Sequence, residues 1–352
     1  MPPRSCSAAC GIIRLRISSE MRLLVVKFTG LRGALATTAG LRTIRERHPG
    51  AQITFVTSPG SEVALEGCPA VVETIGFGEE GSVLALVSRL RRQRFDIAIA
   101  LGGHSLANRL VALSGAAVRA CGGHAPFYLR PLMHQQVFGS VVDPHEAARD
   151  HEVMSRVLGF HAETPAMWFA PSRMQEHGMM LEEGRFAVIH PGATRPERIL
   201  EIDKWASVAR ELVACRAVER IVISAGPGGA ERIMAEALCG LIGPVAMSTG
   251  GRLRFSQLAR LIKESRLFLG ADSSVLQLAA AVGTPVVGVF GPSDYARARP
   301  WGTVHRVVRV DTTMFAGELR ADYLARMDRA LARITAQQVT HAAEEVIRIT
   351  TP

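Results

Sequence analysis

The most informative stretch of the sequence is LFLGADSSVLQLAAAVGTPVVGVFGPSD, residues 267–294. Residues 267–269 predict a buried strand, residues 275–282 a helix and residues 285–290 a second strand. Short apolar strands that alternate with helices are typical of a parallel sheet covered on both faces. The segment therefore predicts one strand–helix–strand unit of an α/β protein.

The same alternation continues toward both ends of the chain and falls into two series. Predicted strands lie at residues 23–28, 52–57, 72–75 and 96–101 in the first series, and at 186–190, 221–224, 267–269 and 285–290 in the second. Two such series predict two doubly wound, Rossmann-like lobes. Ligands of open α/β sheets bind beyond the carboxyl ends of the strands, so the cleft between the lobes is the expected site.

The strand pattern also sets the expected domain limits. The division is residues 1–20 as a disordered extension or misplaced start, 21–150 as the N-terminal lobe, 151–175 as a linker helix and connection, 176–335 as the C-terminal lobe, and 336–352 as a C-terminal helix. Within the first lobe, residues 123–150 contain an irregular, proline-bearing tract, which predicts loops.

Composition limits the class of protein. The 352 residues are 48% hydrophobic and 21% charged, as in a globular protein, and no stretch is long and apolar enough to span a membrane. The formal charge of +9 favours anionic partners such as nucleotides, phosphorylated sugars or an acidic membrane surface, although an arginine-rich coding bias also explains it. The small number of aromatic residues argues against nucleic-acid binding. The spacing of the cysteines predicts neither a zinc site nor a disulfide framework, which favours a cytoplasmic location.

The turn between the strand and the helix of residues 267–282 carries candidate binding groups. The helix that begins near Val275 presents free amides and the positive end of its dipole, which suit a phosphate, and the hydroxyls of Ser273 and Ser274 add donors. Asp272 stands where it can accept hydrogen bonds from sugar hydroxyls. The alternative is that Asp272 or Ser273 only caps the helix.

Four stretches of the sequence resemble glycosyltransferase family 9, the ADP-heptose:lipopolysaccharide heptosyltransferases. They are GTPVVGVFGPSD at 283–294, MRLLVVKFTGLRGALATTAG at 21–40, FDIAIALGG at 95–103, and FAVIHPGATRPER at 186–198. The resemblance implies the GT-B architecture, with a nucleotide sugar (ADP-heptose or similar) in the C-terminal lobe and a glycan or glycolipid acceptor in the N-terminal lobe. It also implies inversion at the anomeric carbon without a metal or cofactor.

The resemblance assigns roles in the C-terminal lobe. It places Asp272 at the donor sugar, Ser273 and Ser274 at the diphosphate, and Arg198 at the position of a phosphate-binding lysine, where an arginine can clamp a phosphate with two hydrogen bonds. The alternative for Arg198 is a solvated loop arginine.

The remaining donor-side residues lie in two loops. Thr194 shares the loop of Arg198 and offers a hydroxyl. Gly226 and Gly228 match the region that meets the ribose and base of the nucleotide, and Glu231 is a candidate for the ribose hydroxyls, with a helix-start acid as the alternative.

The sequence departs from the family pattern at the expected base. The family has an aspartate where this chain has Gly33, which cannot take a proton from the acceptor hydroxyl. Gln277, at the position of a family histidine, and Val275, in the Ser274-Val275 pair that replaces Gly-Pro, are candidate substrate-binding residues. Activity is therefore in doubt on sequence grounds.

Three other N-terminal residues are candidates for acceptor chemistry. His104 follows a predicted strand and is a candidate base, with a loop residue as the alternative. Lys27 is expected to hold an acidic acceptor group or to be a surface lysine at a strand end, and Arg32 to contact acceptor or phosphate.

The leading hypothesis is a cytoplasmic, inverting glycosyltransferase that moves a heptose-like sugar onto a lipopolysaccharide-core or other glycan. Peripheral association with the inner membrane is compatible with this hypothesis. The alternatives are a catalytically impaired nucleotide-sugar-binding protein and a sugar-nucleotide epimerase of the same architecture.

Overall fold

A computed structural model describes residues 21–78, 80–138, 143–170, 174–311 and 319–351. The described chain folds into two α/β lobes, each built on a six-stranded sheet whose neighbouring strands are all parallel. The proposed extension of residues 1–20 lies outside the described residues.

The N-terminal lobe has strand order β3-β2-β1-β4-β5-β6. Its strands are β1 Arg22–Lys27, β2 Gln52–Thr57, β3 Val71–Gly76, β4 Ile97–Ala100, β5 Val118–Gly122 and β6 Gln135–Val137. Its helices are α1 Gly30–Arg47, α2 Val83–Arg92, α3 Ser105–Leu113 and α4 Glu146–Leu158.

The C-terminal lobe repeats this order as β12-β11-β10-β7-β8-β9. Its strands are β7 Phe186–His190, β8 Arg220–Ile223, β9 Ala246–Ser248, β10 Leu267–Ala271, β11 Val286–Phe290 and β12 His305–Arg309. Its helices are α5 Ile202–Ala214, α6 Gly229–Ile242, α7 Phe255–Glu264, α8 Ser274–Ala281, α9 Tyr295–Ala298, α10 Arg320–Asp328 and α11 Ala336–Thr350.

Both sheets reverse their winding at one place. The first strand of each lobe pairs with the second on one side and with the fourth on the other, so the reversal lies between β1 and β4 and between β7 and β10. The carboxyl ends of those strand pairs are the topological switch points at which such sheets bind ligands. The predicted fold class, two doubly wound lobes, is confirmed.

Helix α4 is held tightly against α1. Gly40 of α1 has no side chain, and a Cβ there would overlap the sulfur of Met154 on α4. Close packing at this point holds α4 along α1, and ion pairs from Lys27 to Glu146 and Asp150 tie the first turns of α4 to the end of β1. The prediction of loops throughout residues 123–150 is wrong, because that tract contains β6 and the first five residues of α4.

Contacts between the lobes border the cleft. Arg299 forms an ion pair of 2.7 Å with Asp143, and the Arg299 carbonyl accepts a hydrogen bond of 2.8 Å from His145 Nε2. Helix α1 also packs on α8 of the other lobe. Among the helices in the described ranges, none combines the length and the apolar character that crossing a membrane requires.

Candidate active site

The two switch points face each other, and Arg32 on α1 spans the gap between them. Its Nη1 lies 3.5 Å from Asp272 Oδ1 in the C-terminal lobe, and its Nε lies 3.8 Å from Glu146 Oε2 in the N-terminal lobe. Arg32 is about one-third exposed, whereas the side chain of Asp272 is fully buried. We call the space around this guanidinium the cleft.

Asp272, directly after β10, has an incomplete set of partners. Its Oδ2 lies 3.1 Å from Arg198 Nη1, close enough for an ion pair, but no donor among the described residues is aligned on that oxygen for a hydrogen bond. A buried carboxylate oxygen without a hydrogen bond is costly, so its persistence points to a partner that arrives from outside. The structure therefore brings together Asp272, Arg198 and Arg32, and the sugar, phosphate and acceptor contacts that the sequence analysis assigned to them stay predictions.

The start of α8 lies beside this carboxylate. Ser273 is the N-cap, since its Oγ accepts a hydrogen bond of 3.3 Å from the Leu276 amide, so the capping alternative holds for Ser273 but not for Asp272. Helix geometry leaves the first amides, near Ser274 and Val275, without acceptors inside the helix. These donors and the positive dipole end suit an anion.

Gln277, which replaces the family histidine, has its partner inside the lobe. The side chain is buried, and its Nε2 donates a hydrogen bond of 2.6 Å to the Ala298 carbonyl. The residue therefore holds α9 in place, and its assignment to substrate binding stays a prediction.

Glu231 lies in the first turn of α6, as the helix-start alternative expected, and its carboxylate reaches the loops that follow β7 and β8. Its Oε2 accepts a hydrogen bond of 2.6 Å from the Gly226 amide, and its carboxyl carbon lies 2.9 Å from where a Cβ of Gly192 would stand. Gly228 is the N-cap of α6, and Thr194 is exposed at the mouth of the same region. Because Gly192 and Gly226 have no side chains, the Glu231 carboxylate fits at the carboxyl edge of the sheet. The contacts of Thr194, Gly226, Gly228 and Glu231 with a nucleotide stay a prediction.

The end of β1 carries a buried ionic cluster that the sequence did not predict. Lys27 Nζ lies 2.5 Å from Asp150 Oδ2 and 2.9 Å from Glu146 Oε1, and it donates a hydrogen bond of 3.0 Å to the Gly33 carbonyl. The surface-lysine alternative for Lys27 is wrong, because the side chain is only 1% exposed. With these internal contacts, Lys27 holds the two acids of α4 beneath the cleft.

The charges of this cluster are strongly coupled. Burial lowers the pKa of Lys27, but Asp150 and Glu146 outweigh burial and hold that pKa above its usual value. Burial raises the pKa of Glu146, yet Lys27 and then Arg32 reverse this and bring it to about 2. Burial, with the neighbouring charge of Glu146, raises the pKa of Asp150. Glu146 is therefore the firmly ionised carboxylate of the cluster.

The place of the missing aspartate is already filled. A Cβ built on Gly33 would lie 3.1 Å from Glu146 Oε1 and would collide with the hydroxyl of Thr29. That hydroxyl in turn donates a hydrogen bond of 3.2 Å to Glu146 Oε1. A carboxylate from α4 therefore lies where a side chain at position 33 would project.

A cavity of about 400 Å³ opens beside Glu146 at the ends of β4 and β5. Its floor includes Gly102, Gly103 and Gly123, whose positive φ angles of 74°, 71° and 87° strongly favour glycine. The absence of side chains lets a ligand approach the backbone. Arg149 of α4 and Arg297 of the other lobe also line it, opposite in charge to the acids Glu146 and Asp150 in the same lining.

His104 has a structural partner. Its Nδ1 accepts a hydrogen bond of 3.3 Å from the Leu106 amide and so caps α3, and its ring packs 5.5 Å from that of Phe28. His104 is not among the residues that line the cavity. Its catalytic role stays a prediction.

Sequence reasoning missed Glu146 and Asp150 because it placed them in a loop. Their spacing of four residues puts both on one face of a helix, and His145 before them is the N-cap of that helix. A helix start at this point was the signal that would have found them. Within the ranges that the structure describes, no group of three or more potential metal ligands comes together.

Two Rossmann-like lobes with this charged cleft define a GT-B protein. Residues 83–321 match the family model Glycosyltransferase family 9 (heptosyltransferase), and the chain belongs to that family. The resemblance seen in the sequence is confirmed.

Individual relatives agree with this assignment. Lipopolysaccharide heptosyltransferase 3 of Escherichia coli (strain K12) is 23% identical over 89% of this chain and 94% of its own length. The crystal structure of the glycosyl transferase family 9 from Veillonella parvula DSM 2008 superposes with a TM-score of 0.80 at 20% identity, covering 96% of this chain and 99% of that one.

A further solved relative carries ligands. The E. coli heptosyltransferase WaaC with ADP superposes with a TM-score of 0.76 at 19% identity, covering 93% of this chain and 100% of that one. WaaC with ADP-2-deoxy-2-fluoro heptose gives a TM-score of 0.73 at 20% identity, covering 92% of this chain and 99% of that one. At these identities the likeness shows the fold.

Proposed function

We propose that this protein is a glycosyltransferase that moves a heptose-like sugar from a nucleoside diphosphate to a glycan of the lipopolysaccharide core. The observation that carries the proposal is Asp272, a buried carboxylate with an oxygen that lacks a hydrogen bond, between two arginines at the start of a helix. Hydroxyls of a sugar supply the missing donors, and the diphosphate faces Arg198 and the amides of α8. The solved structures of WaaC with ADP and with ADP-2-deoxy-2-fluoro heptose support this class of donor.

The chemistry follows from where negative charge develops. When the bond between the anomeric carbon and the diphosphate breaks, the leaving oxygen gains charge. Arg198 and the positive end of α8 are fixed in place to stabilise that charge without a metal. The acceptor attacks from the opposite lobe, so the new bond forms on the face opposite the leaving group and the anomeric configuration inverts.

The acceptor is assigned to the glycine-floored cavity of the N-terminal lobe. That cavity lies next to Glu146 and is open to a sugar through its bare backbone. Arg149 and Arg297 at its wall fit the phosphate or carboxylate groups of an anionic core glycan.

We place the reaction at the cytoplasmic surface of a membrane, where a lipid-linked acceptor is presented. Phe127, Tyr128 and Phe138 are 80%, 50% and 48% exposed, and Phe138 also lines the cavity. Apolar rings beside arginines suit an anionic bilayer surface. Sedimentation with phosphatidylglycerol vesicles is expected to capture the protein, and Phe127→Ser to weaken capture; equal capture of both proteins contradicts the placement.

The variant Asp272→Asn tests the donor site. Asparagine keeps the shape but loses the charge, so affinity for ADP-heptose is expected to fall about tenfold or more, because hydrogen bonds to a charged group are worth about 1.5–3 kcal/mol. Affinity for ADP, which has no sugar to hold, stays within about threefold by the same reasoning. Calorimetric titration measures both. Unchanged affinity for ADP-heptose refutes the assignment.

Neither alternative gains support from the structure. Gly33 suggested a protein that binds a nucleotide sugar but does not transfer it. The carboxylate of Glu146, however, lies beside the position of the side chain that Gly33 lacks. No observation in the described residues favours an epimerase over a transferase. Loss of activity through Gly33 stays a prediction.

A further inference from the structure

Transfer to a hydroxyl requires a group that receives its proton, and position 33 provides none. In a single displacement the proton must leave as the new bond forms, and a positioned carboxylate or histidine is the usual recipient. The following inference rests on the proposed function and identifies that recipient.

Glu146 meets the geometric requirements. Its Oε1 lies 3.1 Å from the position that a Cβ of Gly33 would take, so its carboxylate occupies the space beside that missing side chain. The side chain is 16% exposed and lines the acceptor cavity. One guanidinium, that of Arg32, spans the gap between Glu146 and the donor-side Asp272.

We propose that Glu146 is the general base of the reaction, supplied by α4 in place of a side chain from α1. The acceptor oxygen attacks the anomeric carbon, the bond from that carbon to the diphosphate oxygen breaks, and the diphosphate leaves with the electron pair. The hydroxyl proton passes to a carboxylate oxygen of Glu146 and is later released to solvent.

The surroundings keep Glu146 ready for this step. Lys27 and Arg32 hold its pKa at about 2, so the carboxylate is free of protons at neutral pH. A weakly basic carboxylate suffices, because a hydroxyl becomes a strong acid once its oxygen has begun to bond to the anomeric carbon. Lys27 fixes the orientation through its 2.9 Å contact with Oε1.

Two neighbouring groups fit the role less well. Asp150 is only 6% exposed, and its Oδ2 is bound by both Lys27 and the hydroxyl of Thr37 at 2.7 Å. His104 caps α3 and lies outside the lining of the cavity. Of the two carboxylates, Glu146 is the more exposed, and it is the one next to position 33.

The test compares Glu146→Gln with the wild-type protein, using ADP-heptose and a deacylated lipopolysaccharide-core oligosaccharide. Glutamine keeps an oxygen for Lys27 but accepts no proton, so kcat is expected to fall by about 100-fold or more while the KM for the donor stays within about threefold. Glu152→Gln is the matched control, since Glu152 shares α4 but pairs with Arg156. The control keeps wild-type kcat.

A rescue experiment separates proton transfer from a structural role. In Glu146→Ala, sodium formate is expected to restore part of kcat, whereas sodium chloride at the same ionic strength restores none. A Glu146→Gln protein that keeps more than about a tenth of wild-type kcat overturns the base assignment while transfer itself stands. A wild-type protein that transfers no sugar overturns the proposed function as well.

Discussion

Lys27 is the residue whose replacement should damage the protein most. Lys27→Met keeps the length of the side chain and its apolar stem but removes the ammonium. The side chain is 1% exposed, so water cannot take over the lost contacts. Asp150 and Glu146 then face each other beneath the cleft without their shared cation.

The size of the effect follows from that burial. Removing one partner of a buried ion pair costs about 3–5 kcal/mol, because an uncompensated charge is left behind. Burial already raises the pKa of Asp150. In the variant, Asp150 can therefore take up a proton, which limits the loss of stability. A loss of about 3 kcal/mol in the free energy of unfolding lowers the melting temperature by roughly 6–12 °C.

Urea unfolding and a thermal melt measure this change. The control is Lys204→Met, a partly exposed lysine that pairs with Glu201 at 3.3 Å and donates a hydrogen bond of 2.9 Å to the Ala332 carbonyl. Its replacement is expected to cost about 1 kcal/mol, because water reaches the contacts that are lost. If Lys27→Met costs no more than Lys204→Met, the cluster does not stabilise the lobe as described.

Three further predictions concern charge and space. Burial lowers the pKa of His145 to about 4. Below about pH 6.5 the unfolded protein therefore binds more protons than the folded protein, and the free energy of unfolding decreases as the pH drops. The expected decrease is about 2 kcal/mol between about pH 7 and pH 5. His145→Gln should lose this dependence in urea unfolding at both pH values, and an unchanged slope contradicts it. Arg198→Ala should weaken ADP binding about tenfold or more by calorimetry, whereas Arg195→Ala in the same loop, with a side chain 66% exposed, should not; equal effects argue against a phosphate clamp. Gly33→Asp should lower both kcat and melting temperature, because Thr29 and Glu146 occupy the space, and a rise in kcat would refute that reasoning.

The fold was predictable because the central strands of both sheets are strongly apolar. The strands at 52–57 and 186–190 were predicted at their observed limits, since buried parallel strands read as continuous apolar runs. Strand β12, His305–Arg309, was missed because its histidine and arginines break that pattern at the edge of a sheet. The pairing order depends on contacts between distant residues and was not predicted.

The site was predictable only where the chain delivers it locally. Asp272 directly follows a strand, so its place at the sheet edge could be inferred from sequence. Glu146 meets Gly33 across 113 positions of the chain, and only the packing of α4 on α1 brings them together. A local sequence pattern carries no information about such a long-range contact. For that reason Gly33 suggested, on sequence alone, that the catalytic base was missing.

One measurement bears most directly on the account as a whole. The wild-type protein is incubated with ADP-heptose and the deacylated core oligosaccharide, and the products are resolved by liquid chromatography with mass spectrometry. Heptosyl transfer yields an oligosaccharide heavier by one heptose residue and an equal amount of ADP. Intact donor and acceptor after incubation, or ADP with free heptose and an unchanged acceptor, would contradict it.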